Sequence, residues 1–193
     1  MAGVGFKRMT IQILDNKAPQ LGENQFVIEG AQGKGATKTA KISGIAASPV
    51  KTYGSNIAYY ISSTGVGDVK AEFEVIDFPR DVLSKILGHK TENGITRVGA
   101  DTVAPYCSIL LESATTDGTP FYAGFYKGQF SLEAFEFNTL SDKQEELPAD
   151  SLTFTAIASD TPATDGAYYG TCASKEANTV NAFKAELKMV NAA

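Results

Sequence analysis

Hydrophobic and polar residues alternate with a period of two along several segments of this sequence, which is typical of β-strands with one buried face. The clearest segment is 69–76, where Val69, Ala71, Phe73 and Val75 alternate with charged residues. The same pattern predicts strands over six further ranges: 8–14, 25–29, 39–45, 107–112, 151–157 and 168–173. The chain is therefore predicted to be mainly β.

The longest strand-like tract spans residues 120–137 and is rich in aromatic side chains. Gly128 is expected to mark a turn or bend inside this tract. Three residue pairs predict tight turns elsewhere, because Asn or Asp followed by Gly tolerates the left-handed backbone that such turns need. They are Asn93-Gly94, Asp117-Gly118 and Asp165-Gly166.

One short helix is predicted near the middle of the chain, at about residues 79–87. Its apolar side chains fall on one helical face: Val82, Leu83, Ile86 and Leu87. Pro79 suits the first turn because it needs no amide partner there, and Gly88 suits the left-handed position after the last turn.

The C-terminal segment, residues 159–193, has no single predicted conformation. Part of its apolar pattern fits a helix, through Val180, Phe183, Leu187 and Val190. An overlapping set fits a strand, through Phe183, Ala185, Leu187 and Met189. Both alternatives stay open at this point.

Residues 46–67 form a long segment that we interpret as an extended loop or a hairpin arm. It carries large apolar side chains on a Gly, Ser and Thr background, with Lys51 as its only charged residue. These candidate contact residues are Tyr53, Ile57, Tyr59, Tyr60 and Ile61. Disordered segments are poor in such side chains. The segment is either an ordinary hairpin packed on its own domain or an arm whose aromatic side chains bury against a neighbouring subunit.

Composition and charge narrow the class of protein. The 193 residues fit a single domain, 1–193, and carry a net charge of −5 with a pI of about 4.9. A protein that grips nucleic acid through its phosphates needs a basic surface, which this composition does not provide. Neither a signal peptide nor a membrane-spanning run is recognisable. The surroundings of Cys107 and Cys172 favour buried free thiols over a disulfide framework.

The sequence offers little catalytic or metal-binding chemistry. His89 is the single histidine, so any Ser-His-Asp or Cys-His site would have to use it. Residues 30–39 resemble a phosphate-binding loop, but Ala36 stands where that motif needs Lys. An acidic group has no calcium-loop spacing and is expected to be solvated: Asp142, Glu145, Glu146 and Asp150. No catalytic residue, cofactor site or metal site is predicted, and the chain is expected not to be an enzyme.

Four tracts, in order, resemble the major tail tube protein family of long-tailed phages, the siphoviruses. Residues 72–95 resemble its acidic strand, short helix and Asn-Gly turn, and residues 101–113 its Ala-Pro-Tyr lead into a central strand. Residues 118–145 resemble the aromatic strand with Tyr-Lys-Gly-x-Phe, and residues 148–158 the closing strand. The similarity in order and spacing covers about residues 5–158.

This resemblance implies two packed β-sheets, as a β-sandwich or half-barrel, with one flanking helix and a long extended loop. It also implies a virion protein that is made in the host cytoplasm and self-assembles into hexameric rings, which stack into a tube for the passage of double-stranded DNA. Segment 46–67 would then be an inter-ring arm, and Asp142, Glu145 and Glu146 would face either the lumen or a loop. Implied partners are further copies, the tape measure protein, and the tail terminator and distal tail proteins.

Two local departures from the family pattern affect what is expected. Tyr53 is followed by Gly54, Ser55 and Asn56 where many relatives have an acidic pair, so no carboxylate salt bridge is expected there. The chain has no Trp near its C-terminus, and Phe183 is the candidate to take that place. The alternative interpretation is a β-sandwich module on a virion or cell surface that binds carbohydrate or protein.

Overall fold

The alternating segments form strands close to the predicted positions in the computed structural model, which describes residues 3–134 and 149–189. Within these residues the strands are β1 (Gly3–Ile13), β2 (Gln25–Ile28), β3 (Ala36–Ser43), β4 (Val50–Gly54), β5 (Ile57–Ser62), β6 (Lys70–Ile76), β7 (Lys90–Glu92), β8 (Ile95–Arg97), β9 (Cys107–Thr115), β10 (Pro120–Ser131), β11 (Ala149–Ala156) and β12 (Tyr169–Ala173). The helices are α1 (Arg80–Ile86) and α2 (Ala177–Glu186).

Eight strands form one antiparallel sheet in the order β2-β1-β9-β10-β11-β6-β3, with β12 paired to β10. The long strand β10 pairs with two different strands along one of its edges. Residues 121–125 pair with β12, and residues 128–131 pair with β11. The sheet curls back on itself, and the hydroxyl of Thr37 on β3 donates a hydrogen bond to the carbonyl of Phe6 on β1 at 2.8 Å. The predicted mainly β fold is confirmed, as a half-barrel made by one continuous sheet.

The core lies inside the curl and is built from the alternating residues of the strands. Val69, Ala71, Phe73 and Val75 are all essentially inaccessible to solvent, as their period-two spacing predicts. The ring of Phe154 on β11 packs at 5.7 Å from Phe125 and 5.0 Å from Phe130, measured between ring centroids. These aromatic contacts join β10 and β11 where the sheet changes its set of partners.

Gly128 lies inside β10 and does not turn the chain. It pairs with Cys107 on β9 and with Ala156 on β11. The irregularity in the strand is a register shift between Phe125 and Gly128 in the pairing with β9. A β-bulge of this kind bends a strand and increases its twist, so the expected bend is present and the turn is not.

Helix α1 confirms the helix predicted at about 79–87. Pro79 precedes its first residue, Leu87 caps its C-terminus, and Gly88 follows in the left-handed conformation with φ of 70°. Ile86 and Leu87 enter the core of the half-barrel. The ammonium group of Lys85 lies 5.1 Å from the centre of the Phe26 ring and ties the helix to the start of β2.

Helix α2 covers the opposite face of the sheet. Phe183 and Leu187 pack on Leu110 of β9, whereas the adjacent Ile109 and Leu111 point into the main core. The hydroxyl of Ser108 donates a buried hydrogen bond to the carbonyl of Leu187 at 2.6 Å. The helical alternative for the C-terminal segment is therefore the one formed over Ala177–Glu186.

Both cysteines are free thiols, and they differ in environment. Cys107 is fully buried, and burial raises the pKa of its thiol to about 12. Cys172 is half-buried, and burial raises the pKa of its thiol as well.

Since the thiolate is the reactive form, Cys107 is expected to resist a thiol-specific reagent at pH 8 until the protein unfolds. The measurement is thiol release with and without denaturant, and rapid native reaction of both thiols would contradict the expectation.

Candidate assembly surface

A hairpin projects from the body between β3 and β6, and we call residues 45–66 the arm. Its strands β4 and β5 pair only with each other among the described residues, from Val50 with Ser62 to Gly54 with Ile57. The two-residue connection places Ser55 at φ of 51° and Asn56 at φ of 65°. Two successive left-handed residues give the type I′ geometry that matches the twist of a hairpin.

The large side chains of β4 and β5 are exposed to solvent, including all five candidate contact residues. Tyr59 is 81 % exposed and Tyr53 is 68 % exposed. The other large apolar residues of these two strands are exposed by more than half: Val50, Ile57, Tyr60 and Ile61. An isolated two-stranded hairpin is only marginally stable in water, and contiguous exposed apolar groups mark interaction surfaces. The arm therefore has the composition of a buried element, and no other part of the described chain covers it.

Apolar groups occur on both faces of the arm. Thr52 lies opposite Tyr60 and Tyr53 lies opposite Ala58, so Tyr59 is an extra residue in β5. Such a bulge increases the local twist. Val50 and Tyr60 belong to one face by the register, whereas Tyr53 belongs to the other. A partner that covered one face alone would leave part of this apolar surface in water.

Two glycines hold the base of the arm. The amide of Gly67 donates a hydrogen bond to the carbonyl of Gly44 at 2.9 Å, which brings the two ends of the arm together. Gly44 adopts φ of 71°, and a Cβ at that position would overlap the carbonyl of Asp68. The arm consequently leaves and re-enters the body at one point and projects as a single unit.

The turn of the arm offers a test of its intrinsic stability. Left-handed backbone costs about 1–2 kcal/mol in a residue other than glycine, and Asn-Gly is the preferred type I′ pair. Replacing Ser55 by Asn together with Asn56 by Gly is expected to slow amide exchange in β4 and β5 by roughly fivefold in the unassembled protein, as about 1 kcal/mol requires. The β-branched substitution Ser55→Val should accelerate it, and equal rates in all three proteins would contradict the assigned turn.

Four further exposed apolar residues lie in or after β8, and the periodicity of the sequence did not predict them. We call them the distal patch, and they are Ile95, Val98, Val103 and Tyr106. Val103 is 74 % exposed and Val98 is 66 % exposed. Two ion pairs lie in the same stretch of the chain, Lys90 with Asp101 at 2.6 Å and Arg97 with Glu92 at 3.3 Å. Single apolar residues scattered through a turn-rich segment gave no periodic signal in the sequence.

The backbone of the distal patch is fixed to the body. Gly88 lies so close to the carbonyl of Val103 that a Cβ on the glycine would overlap it. The side-chain amide of Gln129 donates a hydrogen bond to the carbonyl of Ala104 at 2.5 Å. The backbone amide of Leu14 donates a hydrogen bond to the carbonyl of Tyr106 at 2.8 Å. The patch is thus presented on a backbone held from two sides.

Of the acidic residues that the sequence predicts to be solvated, Asp150 alone lies in the described part of the chain. Asp142, Glu145 and Glu146 lie outside the described residues, and Asp150 is half-buried in β11. Opposite charges are paired between β3 and β6 on the outer face of the sheet. Lys41 and Glu72 lie 3.2 Å apart, and Lys38 and Glu74 lie 3.8 Å apart. This part of the sheet presents paired charges, which is unlike a basic nucleic-acid site.

The remaining chemical candidates lie in structural positions. Residues 30–35 form the tight connection between β2 and β3, closed by a hydrogen bond from the Gly30 amide to the Gly35 carbonyl at 3.0 Å. His89 follows the left-handed Gly88 at the end of α1. Over 3–134 and 149–189, no three His, Cys, Asp or Glu side chains are grouped as metal ligands would be. None of the helices in those same ranges combines the length and apolar character that crossing a bilayer requires.

Comparison with known proteins gives one family. The model of the phage tail tube protein family matches residues 1–189, which is nearly the whole chain. No curated protein matches the sequence significantly. The match includes the arm, the distal patch and helix α2, so all three features belong to the region that the family model covers.

Proposed function

Because the chain belongs to the phage tail tube protein family, a structural family of virion proteins, we propose that it forms hexameric rings that stack into the tail tube of a long-tailed phage. Double-stranded DNA passes through this tube. The role is that of a building block, and no catalytic activity is assigned to it. The protein would be made in the host cytoplasm and would meet the tape measure protein, the tail terminator and the distal tail proteins during assembly.

The exposed arm is the observation that carries the proposal. A monomer would leave its tyrosines and isoleucines in water, whereas burial of each large apolar side chain is favourable by about 1.5–3 kcal/mol. Because β4 and β5 contribute nothing to the buried core, the arm can contact a second subunit without any change in the core of its own subunit. The family assignment and this geometry together favour a tube subunit over a surface module that binds carbohydrate or protein.

The charge of the chain supports DNA passage without DNA binding. The net charge is −5, and the described lysines of β3 face carboxylates on β6. Phosphate binding depends on unpaired Lys and Arg groups that release counterions from DNA. A lumen built from such subunits would let DNA slide, with Asp142, Glu145 and Glu146 as candidates for additional negative charge.

Electron microscopy of the purified protein tests the proposal. Hollow tubes or rings with six-fold symmetry are expected as the concentration rises, accompanied by fast-sedimenting species in analytical ultracentrifugation. Dispersed monomers at every concentration would contradict it and would support the binding-module alternative. Filter binding with DNA gives the second readout, for which retention no greater than that of an acidic control protein is expected.

A further inference from the structure

Three tight turns carry Asn or Asp followed by glycine, and they differ in the bonding of the glycine amide. The backbone amide of Gly118 donates a hydrogen bond to the carbonyl of Thr115 at 2.9 Å, and that of Gly166 donates to the carbonyl of Ser159 at 3.0 Å. The amide of Gly94, in the connection between β7 and β8, has no hydrogen-bond acceptor within residues 3–134 and 149–189. Of the three turns, this one alone leaves its glycine nitrogen free among the described residues.

The side chain that precedes Gly94 is equally unconstrained. Asn93 is exposed, and its side-chain amide makes no hydrogen bond in the described part of the chain. By contrast, the carboxylate of Asp117 accepts hydrogen bonds from the backbone amide and from the hydroxyl of Thr119, each at 3.2 Å. The Asn93 side-chain carbonyl and the Gly94 nitrogen are thus neighbours in the chain, and neither of them is engaged elsewhere.

We propose that Asn93 is a site of spontaneous deamidation, and this inference is independent of the proposed function. The Gly94 nitrogen gives up its proton to a base in the solvent and attacks Cγ of Asn93, which forms a five-membered imide. The bond from Cγ to the side-chain nitrogen breaks, and that nitrogen takes up a proton and leaves as ammonia. Water then opens the ring at one of its two carbonyls. Opening at Cγ gives aspartate, and opening at the backbone carbonyl gives isoaspartate, in which the main chain runs through Cβ.

The surrounding hairpin opposes this attack only weakly. Ring closure requires rotation about the Cα–C bond of Asn93, which the type I′ turn holds while it is formed, with φ of 51° at Asn93 and 75° at Gly94. The strands β7 and β8 have three residues each, all of them exposed, and they pair only with each other among the described strands. A hairpin of this kind is marginally stable and opens at low cost in free energy. Gly94 also has no Cβ to hinder the approach to its nitrogen.

The products alter the hairpin in two ways. Both carry a new carboxylate next to Glu92, whose own carboxylate already pairs with Arg97 at 3.3 Å. Isoaspartate also adds Cβ to the main chain of the turn that sets Glu92 opposite Ile95. Because the register of a hairpin is fixed by the length and type of its turn, β7 and β8 lose this pairing in the isoaspartate form.

Peptide mapping of the aged protein tests the proposal. Trypsin cuts after Lys90 and Arg97 and releases residues 91–97, in which Asn93 is the single asparagine. Incubation of the purified chain at pH 8 is expected to convert this peptide to its acid form, at a rate within about tenfold of that in a free synthetic peptide of the same sequence. Labelling by a protein isoaspartate methyltransferase should show isoaspartate in the product, because the imide route produces it. Direct hydrolysis of the side chain would give aspartate alone.

Asp165→Asn supplies the matched control, because it places the same dipeptide at a turn whose glycine amide is hydrogen-bonded. This pair should deamidate at least about fivefold more slowly than Asn93, since a hydrogen bond of ordinary net strength must break first. If Asp165→Asn does not fold, Asp117→Asn makes the same comparison at the other bonded turn.

Three results would overturn the proposal. In the first, Asn93 stays intact while the free peptide deamidates. In the second, the product contains no isoaspartate, and in the third, the control pair reacts as fast as Asn93. Tube formation enters none of these readouts, so a failure of the proposed function is distinguished from a failure of this inference.

Discussion

Replacement of residues 50–62 by a short glycine-serine linker is expected to abolish tube formation while leaving the subunit folded. Residues 50–62 contribute nothing to either buried cluster of the described chain, so the unfolding temperature should stay within a few degrees. The glycine base survives in this variant, because Gly44 and Gly67 lie outside the replaced range. Losing about 3 kcal/mol per contact raises the concentration needed for assembly by roughly 100-fold.

The measurement combines thermal unfolding with sedimentation across a concentration series. Lys51→Gln is the matched control, because it removes the one charge of the arm and keeps its aromatic side chains. This control should assemble at nearly the wild-type concentration. Unaltered assembly of the linker variant would show that the arm is dispensable, and a large fall in its unfolding temperature would show that the arm belongs to the fold.

Gly128→Ala is expected to have the largest effect on stability among the glycine substitutions in the sheet. A Cβ at Gly128 would overlap the carbonyl of Thr155 and the ring of Phe154. Phe154 is fully buried between Phe125 and Phe130, so its ring has no free space into which to move. Overpacking of this kind costs about 1–3 kcal/mol, and the rigid backbone on one side places this case at the upper end.

Chemical denaturation measures this cost directly. Gly99→Ala serves as the matched control, because Gly99 is exposed and a Cβ there would meet only the side chain of Asp101, at 3.1 Å. The control should change the free energy of unfolding by less than about 0.5 kcal/mol, as is usual for surface positions. An equally small change in Gly128→Ala would mean that β10 and β11 do not approach as closely as described.

Gly128 also shows where prediction from sequence reaches its limit. A glycine inside a strand-like tract is compatible with a turn, a bend or a close approach of a neighbouring chain segment. The choice depends on Phe154 and Thr155, which come from a strand more than twenty residues away. Alternation within one strand identifies its buried face, as it did for Phe73 and Val75, but it does not identify the strand's neighbours.

The apolar run of β9 and the C-terminal segment illustrate a second limit. Ile109, Leu110 and Leu111 are consecutive and buried, because α2 covers one face of the sheet and the core covers the other. A run buried on both sides carries no period from which its faces can be read. The partner helix was itself ambiguous, because Phe183 and Leu187 fit both a helical and a strand spacing.

The sequence identified the exposed residues of the arm but not those of the distal patch. Tyr53, Tyr59 and Tyr60 stand together in a segment with a single charge, so their composition alone marked them. Val98 and Val103 are separated by small and polar residues, and nothing in that spacing shows that both are exposed. An exposed position is a property of the whole fold, and isolated apolar residues in a sequence are more often buried than exposed.

A helical reconstruction of assembled tubes by electron cryomicroscopy would show directly what covers the arm. It is expected to show six subunits per ring, with Tyr59 and Tyr60 of each arm buried against another subunit. Arms that stand free in solvent, or rings that stack with the arms uninvolved, would contradict the role proposed for the arm.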